Sequence, residues 1–260
     1  MTRAHSLEII MVSMNNLQDF RVSIASIKKL LQNQCRVIVV DSSSTTDILK
    51  ESNKLIDLGH DIQYKWEYPR GIYHAMNTGV SLCKDDALVW FLNPGDVVTD
   101  SSLILELIEL ITQSDSKWGY GLASYDNDAQ FPPLLFPKFT ENNVESLFNG
   151  KLQISHQSML VLKEIFDYSG DFDTTFRIAA DLDFQFKLLK CFPPVVLCKH
   201  LIIVNTSGVS HQQQFRTLFE SFVIRWHRSE FSVFQKISWL IYLFLRRLKS
   251  SKYIKLRHAK

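Results

Sequence analysis

The chain is predicted to belong to the α/β class, with a mainly parallel sheet and helices on both of its faces. Through residue 112, short apolar runs alternate with segments in which apolar side chains recur every three or four positions. This alternation is typical of repeated β-α-β units, whose crossover helices cover the sheet. The length agrees, because 260 residues with 46% hydrophobic content suffice for one large compact unit.

Four strand–helix pairs are predicted in the first part of the chain. The strands are expected at residues 7–14, 36–40, 62–66 and 87–92. The helices are expected after residues 15–16, after the polar turn 42–46, and over 71–83 and 103–111. Residues 1–112 are therefore interpreted as a nucleotide-binding half.

The regular alternation stops near residue 114. Strands are predicted at 117–124, 130–136, 154–162 and 195–204, with one helix over 181–191. Residues 113–210 are interpreted as a mixed, acceptor-facing half, and no linker separates the halves. We expect one domain over 1–230, followed by a distinct segment over 231–260.

The C-terminal segment combines an apolar run with a basic end. The run at 239–245 is too short to span a bilayer, and 246–260 contain seven Lys or Arg residues and no acid. An amphipathic helix lying on a membrane surface, followed by a polybasic tail, is the expected structure. A helix packed on the body or in a dimer is the alternative. Nucleic acid is not expected as a partner, because the tail does not adjoin a basic fold motif.

The four cysteines favour a reducing compartment. They form no C-x-x-C pair, no signal peptide precedes them, and the histidines lack zinc-binding spacing. A reduced, cytoplasmic protein is expected.

Two predicted strands end at carboxylates. Asp41 follows residues 37–40, where a side chain can accept hydrogen bonds from a ribose or a base; the alternative is a cap on the next helix. Asp96 closes the sequence Asn93-Pro94-Gly95-Asp96, which suits a type II turn. Beyond a plain turn, Asp96 is a candidate ligand for Mg²⁺ or Mn²⁺ bound to a diphosphate.

The segment 71–79 is predicted to begin a helix with polar residues near its start. His74 and Asn77 are three residues apart and share one helix face, and Arg70 precedes the helix. A helix N-terminus favours phosphate, so these side chains are candidates for contact with a nucleotide or a sugar. An ordinary exposed polar face is the alternative.

A third carboxylate site lies at the start of the helix predicted over 181–191. Asp181 and Asp183 are two residues apart and cannot share a helix face, so at most one is expected to act as a base in the cleft. A helix cap is the alternative. His156 lies in an apolar stretch and is a candidate contact to the acceptor or the sugar, unless it is simply a structural histidine.

Taken together, these segments resemble the family 2 glycosyltransferases, which have the Rossmann-like GT-A fold. The most specific match is Gly71–Gly79, which is similar to the G-I-Y-D-A-M-N-K-G run of bacterial colanic-acid and O-antigen type transferases. Residues 91–96 resemble the F-L-N-S-G-D form of their metal motif. Residues 9–16, 38–45, 155–157 and 179–184 also resemble the family, and the resemblance spans roughly 7–210.

The resemblance implies roles for individual residues. Asp41 would hold the nucleoside, Asp96 the metal and diphosphate, and Asp181 would be the general base. Ser13 and Asn77 would be minor cleft contacts. The implied activity is inverting transfer of a sugar from a nucleotide-sugar donor to a saccharide, one expected to be lipid-linked, in surface polysaccharide biosynthesis. The implied place is the inner face of the cell membrane, as a peripheral protein.

Four positions depart from the family pattern. They leave the choice of donor open and, to a lesser degree, the affinity for the metal. His74 replaces an Asp, Thr78 a Lys, Pro69 a frequent Asp, and Asn93 an acid of the fuller metal motif. A noncatalytic sugar-nucleotide-binding or scaffold subunit is therefore an alternative function. A nucleotidyltransferase is a third interpretation, but residues 13–20 lack a phosphate loop rich in glycine and arginine.

Overall fold

The computed structural model describes residues 5–32, 35–126, 143–149, 152, 154–206, 213–228, 232–234, 236–238 and 241. The strand predicted at 130–136 and the basic tail at 246–260 lie outside the described residues. So does most of the C-terminal helix expected within 231–260, and that expectation stays a prediction.

In the part of the chain that the structure describes, eight strands form one sheet. They are β1 (Ser6–Ser13), β2 (Cys35–Asp41), β3 (Ile62–Trp66), β4 (Ala87–Phe91), β5 (Val97–Val98), β6 (Trp118–Tyr125), β7 (Met159–Leu162) and β8 (Val195–Val204). Their order across the sheet is β3-β2-β1-β4-β7-β6-β8-β5. The first four strands in this order are mutually parallel, as predicted for the nucleotide-binding half.

The second half of the sheet contains both parallel and antiparallel pairs, in agreement with the mixed acceptor-facing half predicted over 113–210. Strand β7 runs antiparallel to both of its neighbours, β4 and β6, and β5 runs antiparallel to β8. Strands β6 and β8 are parallel. The regular β-α-β pattern ends with β4, since the chain turns back there through residues 93–96 into the two-residue strand β5.

The helices flank this sheet. They are α1 (Leu17–Ser26), α2 (Asp47–Asp57), α3 (Ile72–Ser81), α4 (Ser101–Gln113), α5 (Asn143–Phe148), α6 (Lys163–Ser169), α7 (Ala180–Cys191) and α8 (Gln214–Arg228). Five of them were predicted, whereas α5, α6 and α8 were not. Helices α5 and α6 are only six and seven residues long, too short for a clear apolar period.

The core lies along the central strands. All five residues of β4 are buried, as are residues 37–41 of β2. Successive side chains of a strand point to opposite faces, so uninterrupted burial requires cover on both faces of the sheet. Gly79 allows α3 to lie close to β1, because a Cβ there would collide with the side chain of Ile10.

The strand predicted at 154–162 is shorter than expected, and the difference affects the site. A 3₁₀ turn occupies His156–Ser158, and the strand begins only at Met159. The backbone N–H and the hydroxyl of Ser158 both donate to the carbonyl of Ser155, at 2.9 Å each. These local bonds replace strand pairing and place His156 just before the start of β7 instead of within the strand.

No helix in the described part of the chain is long and apolar enough to cross a membrane.

Candidate active site

The ends of β1, β2 and β3 bring one group of predicted residues together. Ser13 pairs with Asp41 in the parallel register, and Asp41 pairs with Trp66. This is the carboxyl edge of the sheet, where open α/β sheets bind ligands. The Ser13 hydroxyl donates to the amide oxygen of Asn16.

Asp41 is fully buried, and protein donors already contact both of its carboxylate oxygens. Oδ1 accepts from the Ser43 backbone N–H at 2.9 Å and from the Ser43 hydroxyl, and Oδ2 accepts from the Tyr64 hydroxyl at 2.7 Å. Burial, together with the bond to Asp41, raises the pKa of Tyr64 and keeps it a donor. The Asp41 carboxylate thus holds the loop after β2 through Ser43. Contact between Asp41 and a nucleoside stays a prediction.

Arg70 and His74 lie around the same buried carboxylate, Glu67. His74 Nδ1 is 3.3 Å from Glu67 Oε1, the Thr78 hydroxyl donates to Oε2 at 2.7 Å, and Arg70 Nη2 lies 3.9 Å from Oε2. Two of the positions that depart from the family pattern, His74 and Thr78, thus share one partner. They tie the start of α3 to the end of β3.

Asn77 is hydrogen-bonded to the backbone of Phe172, and its contact with a ligand stays a prediction. Its amide nitrogen donates to the Phe172 carbonyl at 2.9 Å, and its amide oxygen accepts from the Phe172 backbone N–H at 3.1 Å. This pair of bonds uses both ends of the side chain and fixes α3 to the loop before α7. Asn77 therefore links the nucleotide-binding half, which contains α3, to the acceptor-facing half, which contains Phe172.

Residues 93–96 form the predicted turn. The Asp96 backbone N–H donates to the Asn93 carbonyl at 3.1 Å, and Gly95 has a φ of 97°. Positive φ at the third position is what a type II turn requires, and glycine adopts it without strain. A Cβ on Gly95 would also collide with the side chain of Asn205, so glycine is needed here for two reasons.

Asp96 is a buried carboxylate with one unsatisfied oxygen. Its side chain is 2% exposed, and Oδ1 accepts from the Asn205 backbone N–H at 2.8 Å. Oδ2 and the amide oxygen of Asn93 have no hydrogen-bond partner among the described residues. Burial raises the pKa of Asp96 to about 6, although the Asn205 N–H and the charge of His156 oppose the shift. Buried, unpaired oxygens of this kind fit a cation or its water ligands.

Asp181 lies in the first turn of α7 and is held from two sides. Its Oδ1 is 2.9 Å from the Tyr73 hydroxyl, which also contacts the Ile178 carbonyl at 2.6 Å. Its Oδ2 is 3.1 Å from His156 Nδ1. Burial alone would raise the pKa of Asp181, but the hydrogen bond and charge of His156 and the Tyr73 bond outweigh it, so the pKa lies below its ordinary value. The carboxylate is therefore ionised at neutral pH.

His156 connects Asp181 to the turn after β4. Its Nε2 lies 3.2 Å from the Asn93 amide nitrogen, while Nδ1 contacts Asp181. Because an ionised carboxylate only accepts, the proton on the Asp181 side belongs to Nδ1. One histidine thus joins the candidate base to the candidate metal motif. The 3₁₀ turn that creates this contact was not predicted.

Asp183 points to the other side of α7. Its side chain is buried and accepts from Arg228 Nε at 2.5 Å and Nη2 at 3.1 Å, and Lys187 lies 3.5 Å away. The expectation that at most one of the two aspartates faces the cleft agrees with this geometry. Asp181 meets Tyr73 and His156, and Asp183 meets α8.

Glu220 of α8 caps the loop that leads into α7, a contact that the sequence did not reveal. Its carboxylate accepts from the backbone N–H groups of Arg177, Ile178 and Ala179 at 3.1, 2.8 and 3.2 Å, and from Arg216 Nε at 2.8 Å. Burial by itself would raise the pKa of Glu220. The hydrogen bonds from these donors lower it by more, so the pKa lies below its usual range. The donors to Glu220 lie more than forty positions away in the chain, apart from Arg216, so no local pattern could have identified it.

The comparison with known families decides the class. Residues 8–169 match the family described as Glycosyl transferase family 2. The chain belongs to this family. This family 2 glycosyltransferase is 25% identical over 226 residues to an uncharacterized glycosyltransferase of Mycobacterium tuberculosis, covering 84% of this chain and 82% of the relative. It is 23% identical over 221 residues to a PGL/p-HBAD biosynthesis glycosyltransferase of Mycobacterium bovis, and the match covers 78% of this chain and 77% of the relative.

Solved structures show the same fold. S. aureus TarS 1-349 superposes with a TM-score of 0.66 at 16% identity, and the match covers 90% of this chain and 69% of that chain. The mannosyltransferase PcManGT from Pyrobaculum calidifontis, solved with GDP-Man and Mn²⁺, superposes with a TM-score of 0.63 at 14% identity, covering 85% and 64%. At these identities the likeness establishes the GT-A fold.

Family membership confirms the predicted enzyme class. The protein is a glycosyltransferase that uses a nucleotide-sugar donor, which favours catalysis over the noncatalytic scaffold alternative. The nucleotidyltransferase interpretation is not supported.

Proposed function

We propose that the protein is an inverting glycosyltransferase that moves a sugar from a nucleotide-sugar donor to a hydroxyl of a lipid-linked saccharide in surface polysaccharide assembly. Asp181 is the general base, and Asp96 holds a divalent cation, Mg²⁺ or Mn²⁺, with the donor diphosphate. Asp41, Ser13 and Arg70 belong to the donor side of the cleft, and His74 and His156 are contacts to the acceptor or the sugar.

The observation that carries this proposal is the chain of contacts from Asp181 through His156 to Asn93. It joins an ionised carboxylate to the turn that presents Asp96. A transferase needs these two functions close together. The acceptor hydroxyl, which loses its proton, attacks one face of the anomeric carbon while the diphosphate leaves from the opposite face. Support for the base also comes from the neighbouring Asp183, whose partners on α8 leave Asp181 as the aspartate near the cleft.

The residues present fit a cation that is held largely by its substrate. Among the described residues, no group of three or more His, Cys, Asp or Glu side chains forms a metal cage. The unsatisfied Asp96 Oδ2 offers a single carboxylate ligand. Mg²⁺ and Mn²⁺ need no more than this when phosphate oxygens and waters fill the other positions. A bound cation would neutralise charge that develops on the diphosphate.

The reaction is a single displacement. The acceptor oxygen forms a bond to the anomeric carbon as the bond from that carbon to the phosphate oxygen breaks, and Asp181 takes the hydroxyl proton. The nucleoside diphosphate leaves with the bonding electrons, and the configuration at carbon inverts. A carboxylate has about four acceptor sites, so Asp181 can receive the hydroxyl while Tyr73 and His156 hold it.

Two observations support an acceptor at a membrane. Residues 246–260 contain seven Lys or Arg residues and no acid, a composition that suits an anionic leaflet. A relative at 23% identity is named for PGL/p-HBAD biosynthesis. We place the enzyme at the inner face of the cell membrane as a peripheral protein, with 231–260 as its contact.

The test uses purified full-length protein with a panel of nucleotide sugars and MnCl₂. We expect one donor to raise the melting temperature in a metal-dependent way and to be hydrolysed slowly without acceptor. Removing residues 231–260 should abolish flotation with anionic liposomes and spare hydrolysis. Should no donor bind, the enzymatic proposal fails; should the truncated protein unfold, or the full chain stay in solution with anionic liposomes, the membrane role of 231–260 fails.

A further inference from the structure

Helix α8 has two opposite faces, and only one of them packs on the protein. Glu220 and Ile224 lie on the packed face and are 6% and 1% exposed. At 3.6 residues per turn, Phe215 and Phe219 lie on the other face, where they are 84% and 59% exposed, with Leu218 beside them at 48%. An amphipathic helix of a globular domain normally turns its apolar stripe inward, so this outward stripe needs a partner.

The segment after α8 extends this apolar surface. Val233 and Phe234 are exposed, and Lys236, two residues beyond Phe234, contacts α8. Lys236 Nζ donates to the Trp226 carbonyl at 2.6 Å and lies 5.4 Å from the centroid of the Trp226 ring. We name Phe215, Leu218, Phe219, Val233 and Phe234 the apolar ridge. Among the described residues, every exposed phenylalanine belongs to it.

The charge of the C-terminal sequence indicates the partner of the ridge. Residues 213–260 contain eleven Lys or Arg residues but only two acids, Glu220 and Glu230. Glu220 is already held by Arg216 and by three backbone N–H groups. Exposed aromatic side chains with an excess of cationic residues are the pattern of an interfacial helix on an anionic bilayer.

We infer that the apolar ridge is a docking surface for an anionic lipid bilayer. The inference rests on the proposed membrane-bound acceptor and extends the contact from 231–260 back into the folded domain. It also gives the enzyme an orientation. The packed face of α8 holds the loop before α7 through Glu220, and Asp183 of α7 through Arg228. The element that meets the lipid is therefore the one that fixes the helix carrying Asp181.

The test is liposome flotation of full-length protein with phosphatidylethanolamine vesicles, with and without phosphatidylglycerol. The variant is Phe215→Ser with Phe219→Ser, both at exposed positions, which leaves the basic tail intact. The matched control is Ile56→Ser with Leu58→Ser, two exposed apolar residues at the end of α2. We expect the ridge variant to bind anionic vesicles at least about tenfold more weakly and the control to bind as wild type, since each phenylalanine contributes buried apolar area.

The outcomes separate this inference from the proposed function. Wild-type flotation that the ridge variant retains in full overturns the inference and leaves the tail as the sole membrane contact. No flotation of the wild type overturns the membrane proposal and the ridge with it. The wild type could instead form a dimer in solution that becomes a monomer in the ridge variant, while vesicle binding stays the same. That result overturns the inference and assigns the ridge to contact with a second copy of the chain. Unchanged melting temperatures and donor hydrolysis show that the variants are folded.

Discussion

His156 Nδ1 lies 3.1 Å from Asp181 Oδ2, so the ring that approaches Asn93 also holds the proposed base. The contact joins the 3₁₀ turn before β7 to the start of α7 across 25 positions of the chain. It lowers the pKa of a carboxylate that burial alone would raise.

Replacing His156 should move the acid limb of the pH–rate profile to higher pH. In His156→Leu the burial that raises the pKa of Asp181 remains, while the hydrogen bond and charge that lower it are lost. His156→Gln keeps an N–H donor without the charge and should shift the limb less. The measurement is kcat/KM against pH with a soluble acceptor. An acid limb that stays in place in His156→Leu would contradict the coupling.

Asp181→Asn should lower transfer by about 10²–10⁴-fold, the usual contribution of a positioned base, and leave donor affinity nearly unchanged. Asp183→Asn is the matched control, and its effect on transfer should be much smaller because Asp183 pairs with Arg228 away from His156. Transfer rates and donor Kd are measured for both variants, with melting curves to correct for stability. The reverse order of effects would mean that Asp183 is the base.

Asp96→Asn should abolish the stabilisation by Mn²⁺ and donor, yet stabilise the metal-free protein at neutral pH. The folded pKa of about 6 lies above the ordinary 3.8, so the contribution of Asp96 to stability is lost as pH rises through about 6. The shift corresponds to about 3 kcal/mol at most. Asn keeps an acceptor for the Asn205 N–H without the charge.

Melting temperatures with EDTA and with MnCl₂, at about pH 5 and about pH 8, check both parts of this prediction. The gain from Asp96→Asn in EDTA should be larger at the higher pH. If the variant responds to Mn²⁺ and donor as the wild type does, Asp96 is not the metal ligand.

Asn77→Ala should weaken the fold more than it weakens donor binding. The substitution leaves the Phe172 N–H and carbonyl without their partners, and each such loss costs about 1–3 kcal/mol when the group stays buried. Urea unfolding and donor Kd are measured on the same preparation. Unchanged stability with weaker donor binding would instead support the ligand contact expected from the resemblance.

The parallel half of the fold could be read from the sequence because its signals are local. Apolar runs and helical periods predicted β1 to β4 and α1 to α4, and the motif at residues 93–96 predicted its own turn. The second half gave weaker signals. Strand β7 pairs with strands distant in the chain, and the 3₁₀ turn at His156–Ser158 interrupts what looked like a longer strand.

The sequence by itself determined the fold class, the family and the candidates Asp41, Asp96 and Asp181, because strand ends and motif spacing are properties of short segments. Only the tertiary structure decided their partners. In the folded chain Asn77 bonds to the Phe172 backbone, Asp183 pairs with Arg228, and Glu220 accepts from the backbone just before α7. Such contacts join residues about forty to a hundred positions apart, and they arise from packing that local periodicity does not encode.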